Sequence, residues 1–295
     1  MPIQSATAPA RTGEDSTTTE LTLHPSWRSF AGTQGGLLLG HLLAAAENAT
    51  GQRARTATAH FLAAAPAGPA GTRARIDRRG SGSCSVRTEL HTGDGTTAAV
   101  AQVLTVRPRP SAVVEPRAAA AGPTRVDPAE LDPFALPVDD VPFGQHLDYR
   151  PVGDHRPLGG GPLPRLTGWV RLLADVPPLV AIAVLLDCLP PSLFATFSQP
   201  VSLPTVELTA HLSATVPTAG TWLLLDQSTL WHDGDLALDD ATLTDQNGTL
   251  VAQCRQTRRV PSRPPFGVGS LGSLRVPFDP SESSPAVARG TSAAA

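Results

Sequence analysis

The chain contains no lysine. All 23 basic residues are arginine, against 26 acidic residues, so the formal net charge at pH 7 is -3. A chain without excess positive charge lacks the electrostatic surface that binds nucleic acid or anionic membranes. Hydrophobic residues make up 41% of the chain, which is enough to bury a core. We therefore expect a globular protein that has neither nucleic acid nor a membrane as a partner.

Cysteine is also scarce. Cys84, Cys188 and Cys254 lie far apart, with no Cys-x-x-Cys pair and no histidine at metal-ligand spacing. This pattern is typical of a reduced, cytoplasmic protein without structural zinc, and we expect no metal or organic cofactor. The N-terminal residues lack the basic and apolar regions of a secretory signal, and no apolar stretch reaches the roughly 18–20 residues of a membrane span.

Three segments have compositions that are unfavourable for a packed core. Residues 1–18 are rich in Ser, Thr and Ala without periodicity, which predicts a disordered leader. Residues 262–295 are rich in Pro, Ser and Gly and predict a disordered tail. Residues 108–141 are rich in proline and predict a linker between two halves of the chain.

The two halves resemble each other. Thr58-Ala-His-Phe in the first half corresponds to Thr209-Ala-His-Leu in the second, and an Asp-Gly turn ending at Gly95 corresponds to an Asn-Gly turn ending at Gly248. Such dipeptides between alternating apolar segments are strong hairpin signals. The corresponding positions are offset by 151 to 153 residues. Chance similarity in a chain rich in Ala and Thr is the alternative, but order, turn chemistry and spacing agree.

Each half also begins with an apolar helix, predicted over 36–47 and 178–189, which is followed by several strands joined by tight turns. One buried helix followed by an antiparallel meander suggests a sheet that wraps around a helix. We therefore predict an α+β fold made of two such units fused as a pseudo-dimer. The units are expected to span residues 19–107 and 142–261.

The second apolar helix carries a carboxylate, Asp187, near its C-terminal end. An ionised Asp among aliphatic residues costs several kcal/mol unless hydrogen-bond donors or a cation meet it. Asp187 is therefore the first candidate for chemistry. The alternative is that it lies at the helix end and points to water, which Pro190 and Pro191 would allow.

A set of short motifs in this order is similar to the type II acyl-CoA thioesterase family, whose members are double-hotdog acyl-thioester hydrolases. The resemblance covers roughly residues 20–260, and it rests on Phe30-Ala-Gly-Thr-Gln-Gly-Gly36, Thr58-Ala-His-Phe-Leu62, Leu166-Thr-Gly-Trp-Val-Arg171, Leu186-Asp187, Pro204-Thr-Val-Glu-Leu-Thr209 and Gly248-Thr-Leu-Val-Ala-Gln-Cys-Arg-Gln256.

The resemblance implies that Asp187, Thr205 and Gln256 hold the hydrolytic water. The substrate would be an acyl-CoA or acyl-carrier-protein thioester, as in fatty acid metabolism, and the protein could form a homo-oligomer. Aligning the halves on the repeated Thr-Ala-His puts Ala54 opposite Thr205, and aligning them on the turns puts Val103 opposite Gln256. We therefore expect the second half to be active and the first half to be a scaffold.

Two other functions are compatible with the sequence. One is a hotdog dehydratase or isomerase, which would pair a histidine with an aspartate across the halves, and His60 is the candidate histidine. The other is a catalytically silent acyl-binding protein. The sequence leaves the length and type of the acyl group open.

Overall fold

The structure is a computed structural model that describes residues 9–13, 15–109 and 126–260. The predicted tail at 262–295, half of the leader and part of the linker lie outside the described residues.

The described part of the first half contains one long helix and six strands, in the order β1 Ala10–Gly13, β2 Ser16–Leu23, α1 Gly35–Thr50, β3 Arg53–Phe61, β4 Gly68–Arg79, β5 Ser83–Thr92 and β6 Thr97–Val106. The second half repeats this order with β7 Leu147–Pro151, β8 Arg165–Leu172, α2 Pro178–Leu186, β9 Thr205–Leu212, β10 Leu223–His232, β11 Leu236–Thr244 and β12 Leu250–Arg259. Both predicted hairpin turns are confirmed, and Gly95 and Gly248 adopt the positive φ that each turn requires.

In the described part of the chain, the strands form a single antiparallel sheet of 12 strands in the order β1-β2-β4-β5-β6-β3-β9-β12-β11-β10-β8-β7. The corresponding strands of the two halves follow each other in opposite order across the sheet. The two halves are therefore related by a pseudo-two-fold axis, at which β3 meets β9. Thr58 lies opposite Thr209 there, and their hydroxyl oxygens are 3.1 Å apart. The predicted fold, two helix-wrapped sheets fused as a double hotdog, is confirmed.

The two helices pack antiparallel inside the curved sheet. Gly36 of α1 lies against Ala183 and Val184 of α2, and Gly40 lies against Val180. Glycine at both positions lets the backbones approach closely. Both helices are apolar on most faces, which is the pattern of a helix that is buried all round. Among the described residues, neither helix combines the length and the apolar character of a membrane-spanning segment.

Helix α2 ends earlier than predicted, at Leu186, and Asp187 is its C-cap with φ of -122°. The cause is Pro190, which has no N–H to donate to the carbonyl of Leu186 and whose ring would collide with that carbonyl in a continued helix. The Leu186 carbonyl is therefore free to accept from another part of the chain.

The prediction of a disordered leader over residues 1–18 is wrong for β1, Ala10–Gly13, which pairs with β2, and for residues 16–18. Residues 16–18 are the first part of β2, where Ser16, Thr17 and Thr18 pair with β4. The composition is misleading here because β-branched threonine favours a strand once a neighbouring edge offers backbone partners. Within the predicted linker, the described residues from 126 onward contact the second half, since the Trp169 indole donates to the Val126 carbonyl at 2.9 Å.

Candidate active site

Asp187 faces the N-terminus of α1 from the opposite half of the molecule. The Gly36 N–H donates to Asp187 Oδ2 at 2.8 Å. Gln34, the N-cap of α1, donates from Nε2 to the Asp187 carbonyl at 2.8 Å and to Oδ2 at 3.3 Å. The positive end of the α1 dipole therefore faces this carboxylate. Asp187 lies at a helix end, as the alternative prediction stated, but it is half-buried and points at donors.

Gly35 makes this approach possible. A Cβ atom at Gly35 would lie 2.9 Å from Asp187 Oδ2 and 3.3 Å from the Phe61 ring. Contacts below 3 Å essentially do not occur for a real Cβ, so any larger residue at this position must displace the carboxylate or the ring. The absence of a side chain at Gly35 thus shapes the space beside Asp187.

Thr205 and Gln256 meet on the adjacent strands β9 and β12. The Thr205 hydroxyl donates to Gln256 Oε1 at 2.9 Å, and Gln256 Nε2 donates to the Leu186 carbonyl at 3.3 Å. That carbonyl is the acceptor that Pro190 leaves free, and it belongs to the residue before Asp187. The structure therefore brings Asp187, Thr205 and Gln256 together.

Burial raises the pKa of the Asp187 carboxyl above its ordinary value, since the charged form loses hydration. The positive charge of Arg258 and the hydrogen bonds from Gly36 and Gln256 oppose that shift without cancelling it. The result is a carboxylate that is surrounded by donors and yet more basic than an exposed Asp.

Sequence reasoning missed several buried polar residues that surround this trio. Arg258 donates from Nη1 to Thr205 Oγ1 at 2.9 Å and from Nε to Asp239 Oδ2 at 2.6 Å. Thr229 donates to Asp239 Oδ1 at 2.6 Å. The sequence did contain a signal for Arg258. It lies two residues after Gln256 on the same strand, so its side chain points to the same, core-facing side of the sheet.

Among its described residues, the first half has no counterpart of this site. The strand registers assign Ala54 to the position of Thr205 and Val103 to that of Gln256, as the aligned repeats predict. Both are buried apolar residues. Glu47, near the end of α1, accepts the Ala54 N–H at 2.9 Å and so serves the local backbone.

His60 does not join the trio. It is exposed, and it lies opposite Glu207 in the pairing of β3 with β9, while Ala59 beside it is buried on the other face of the sheet. Within the described ranges, no group of three or more His, Cys, Asp or Glu side chains is placed to hold a metal ion. Burial raises the pKa of the Cys254 thiol to about 12, which leaves it protonated and a poor nucleophile.

Two family models match most of the chain. The model of the acyl-CoA thioesterase N-terminal domain matches residues 23–106, and the model of the acyl-CoA thioesterase C-terminal domain matches residues 121–260. None of the curated proteins compared with the chain matches it significantly in sequence.

Several solved structures share the fold. A proposed thioesterase II from Thermobifida fusca YX is 27% identical, with a TM-score of 0.72 over 86% of this chain and 95% of the other. A hot dog protein of unknown function from Alicyclobacillus acidocaldarius is 19% identical, with a TM-score of 0.73 over 87% and 96%. An acyl-CoA thioesterase II from Mycobacterium marinum is 18% identical, with a TM-score of 0.63 over 89% and 97%.

Proposed function

Because the chain belongs to the acyl-CoA thioesterase family, we propose that it hydrolyses acyl thioesters with a water molecule held by Asp187, Thr205 and Gln256. The substrate class is an acyl group on coenzyme A or on an acyl carrier protein. The observation that carries the proposal is the convergence of three polar side chains beside the N-terminus of α1. Nothing in this chemistry requires a metal or an organic cofactor.

Asp187 is the proposed general base. A base is most effective when its pKa lies near the working pH, and burial moves the pKa of Asp187 in that direction. The carboxylate would take a proton from the water as the water attacks the thioester carbonyl carbon. The carbon–sulfur bond then breaks, the leaving sulfur takes the proton back from Asp187, and the thiol and the free acid are released.

Gln256 and Thr205 are proposed to orient that water. Gln256 Nε2 carries two N–H groups, of which one donates to the Leu186 carbonyl. The amide also hydrogen-bonds the Asp187 carboxylate, so its nitrogen lies where a water molecule bound to that carboxylate would receive a hydrogen bond. Holding a nucleophile in its line of attack can contribute several kcal/mol to lowering the barrier.

The N-terminus of α1 is proposed to stabilise the negative charge that forms on the substrate. Negative charge develops on the carbonyl oxygen during attack, and the positive end of a helix dipole stabilises such charge. The first half therefore contributes the helix end, and the second half contributes the side chains. On this view neither half is sufficient alone.

A dehydratase or isomerase is not favoured. That chemistry requires a histidine across from the aspartate, and the candidate His60 is exposed on the outer face of the sheet. The Gln256 amide contacts both the Thr205 hydroxyl and the Asp187 carboxylate, and this arrangement argues against a silent acyl-binding role.

Replacement of Gln256 by Leu tests the proposal. We expect kcat for acyl-CoA hydrolysis to fall by about 10²-fold, since one water-orienting group is removed. The assay is release of free thiol from a panel of acyl-CoA and acyl-carrier-protein thioesters of increasing chain length. The matched control is Gln253→Leu, which changes an exposed residue of the same strand and should leave kcat unchanged. Equal rates in the two variants would contradict the proposed role.

Replacement of Gly35 by Ala tests the geometry rather than the chemistry. The added Cβ would crowd Asp187 Oδ2 at 2.9 Å, so the carboxylate must turn away from its donors. We expect kcat to fall at least about tenfold with little change in melting temperature, because misplacing a reacting group by a fraction of an ångström is costly for catalysis. Thiol release and thermal unfolding measure the two effects. Parental kcat in the Gly35→Ala variant would show that this contact is unimportant.

A further inference from the structure

The structure assigns to Arg258, held by Asp239, the role of a positioning residue that sets the direction of the hydrogen bond between Thr205 and Gln256. The inference rests on the proposed function, because it concerns how the water-binding amide is oriented. It adds Arg258 and Asp239 to the machinery of the site as residues that act through Thr205.

The contacts of Arg258 leave it little freedom. Its side chain is 5% exposed and that of Asp239 is 1% exposed, and Nε lies 2.6 Å from Asp239 Oδ2. The opposite oxygen of Asp239 accepts from the buried hydroxyl of Thr229. With both carboxylate oxygens engaged, Asp239 holds the guanidinium so that Nη1 reaches Thr205 Oγ1 at 2.9 Å.

The chemistry of these groups determines the direction of the whole chain of hydrogen bonds. A guanidinium can only donate, so Thr205 Oγ1 must accept from Arg258. The single hydroxyl proton of Thr205 is then free to donate to Gln256, whose oxygen must therefore face Thr205. The amide nitrogen consequently faces Leu186 and Asp187, where a water molecule needs a donor. Without Arg258, the hydroxyl could donate elsewhere and the amide could turn over.

The first half of the molecule provides an internal control. The pairings of β4 with β5 and of β5 with β6 match those of β10 with β11 and of β11 with β12. The residues equivalent to the buried polar cluster are mostly apolar, with Ile76, Val86 and Thr105 at the positions of Thr229, Asp239 and Arg258. The architecture therefore does not need this cluster in order to fold.

Stability is a poor explanation for the cluster. A buried ion pair loses hydration, and well-packed apolar residues of similar volume often stabilise a protein as well or better. In addition, Arg258 Nη2 is buried without a hydrogen-bond partner in the described part of the chain. A costly cluster that occurs in only one half, and there contacts Thr205, is better explained by the needs of the site.

The decisive experiment transfers the residues of the first half into the second, in the triple variant Thr229→Ile, Asp239→Val and Arg258→Thr. We expect kcat to fall by about 30- to 100-fold while KM changes less than about twofold, because positioning acts on the transition state. The melting temperature should not decrease. A triple variant with parental kcat would overturn the inference.

The matched control is a second ion pair on the same two strands. Arg255 and Asp240 also lie on β12 and β11 and form an ion pair, but Arg255 is exposed and Asp240 is partly exposed, and both lie on the opposite face of the sheet. The variant Asp240→Val with Arg255→Thr should keep parental kcat. Equal losses in the control and the triple variant would contradict a specific role for Arg258.

The single variant Arg258→Lys covers the case in which the triple variant does not fold. Lysine keeps the charge beside Asp239 but lacks the fork that reaches Asp239 and Thr205 together. We expect kcat to fall about tenfold at unchanged KM. Parental kcat in this folded variant would also overturn the inference.

A measurement that is independent of activity separates this inference from the proposed function. The side-chain N–H protons of Gln256, assigned by their loss in Gln256→Leu, should exchange slowly with solvent in the parent. They should exchange at least about tenfold faster in the variants at Arg258, since local opening sets exchange. If the parent hydrolysed no thioester, the proposed function would fail, whereas unchanged exchange in the variants would refute the positioning role.

Discussion

Replacement of Asp187 by Asn is expected to lower kcat about 10³-fold, the largest effect of any change in the site, because it removes the general base. The Asn side chain can still accept the Gly36 N–H, so the helix end and the fold should be preserved. Thiol release from acyl-CoA measures the loss. The control is Asp154→Asn, which alters an exposed loop carboxylate and should leave kcat unchanged.

The same variant should be more stable than the parent at neutral pH. The pKa of Asp187 is raised in the folded protein, so the folded state binds a proton more readily than the unfolded state does. Stability contributed by this group is therefore present below the ordinary pKa of Asp and is lost as the pH rises through the raised pKa. Removing the charge should recover that loss at pH 7, and the gain should shrink as the pH falls towards the ordinary pKa.

Urea unfolding of the parent and of the Asp187→Asn variant across this pH range tests the prediction. A variant that is less stable than the parent at pH 7 would mean that the donors around Asp187 outweigh its desolvation. A gain that grows as the pH is lowered would contradict the sign of the shift. Together the two effects would identify Asp187 as a residue kept for activity at the expense of stability.

Replacement of Gly36 by Ala is expected to cause the largest loss of stability. The new Cβ would lie 2.3 Å from the Ala183 carbonyl oxygen and 2.9 Å from Val184 Cα, both of which are backbone atoms. Relief requires the two central helices to separate. We expect the free energy of unfolding to fall by about 3 kcal/mol, even though Ala favours a helix over Gly by about 1 kcal/mol.

Gly40→Ala is the matched comparison on the same helix. A Cβ there would meet Val180, with Cγ1 at 2.9 Å and Cα at 3.0 Å, so part of the clash involves a side chain that can move. Its loss of stability should be the smaller of the two. Chemical denaturation of both variants gives the order, and a reversed order would show that the helix contact at Gly36 is looser than these distances indicate.

Local features of the sequence predicted much of the fold. The Asp-Gly and Asn-Gly turns, the apolar helices and the repeated Thr-Ala-His segment each depend on neighbours within a few residues, so pattern reasoning located them. The end of α1 was nevertheless predicted three residues too early, at 47 instead of Thr50. The end of α2 was predicted three residues too late, at 189 instead of Leu186, because the effect of Pro190 on the preceding turn was underestimated. β1 and the start of β2 were missed because edge pairing, rather than composition, orders Ala10–Gly13 and Ser16 to Thr18.

The candidate site was predicted only in part. Asp187 was identified from the cost of a charge in an apolar segment, and Thr205 and Gln256 came from the family resemblance. Gly35 and Gln34 carried no site signal of their own, because their role depends on α1 lying against the end of α2. Arg258 and Asp239 are separated by 19 residues and meet only through the register of β11 and β12.

The amino-acid pattern alone determined that this chain is a duplicated α+β protein whose second half has polar residues at positions where the first half has Ala54 and Val103, since turns, periodicity and side-chain polarity act over short distances. Tertiary packing decided how the halves complement each other. It placed the helix end of one half, with its oriented N–H groups, against the carboxylate of the other, and it aligned strand neighbours into a directed chain of hydrogen bonds. The contact between Gly36 and Asp187 joins residues that are 151 positions apart in the sequence. The distance and angle of such a contact cannot be read from the order of the residues.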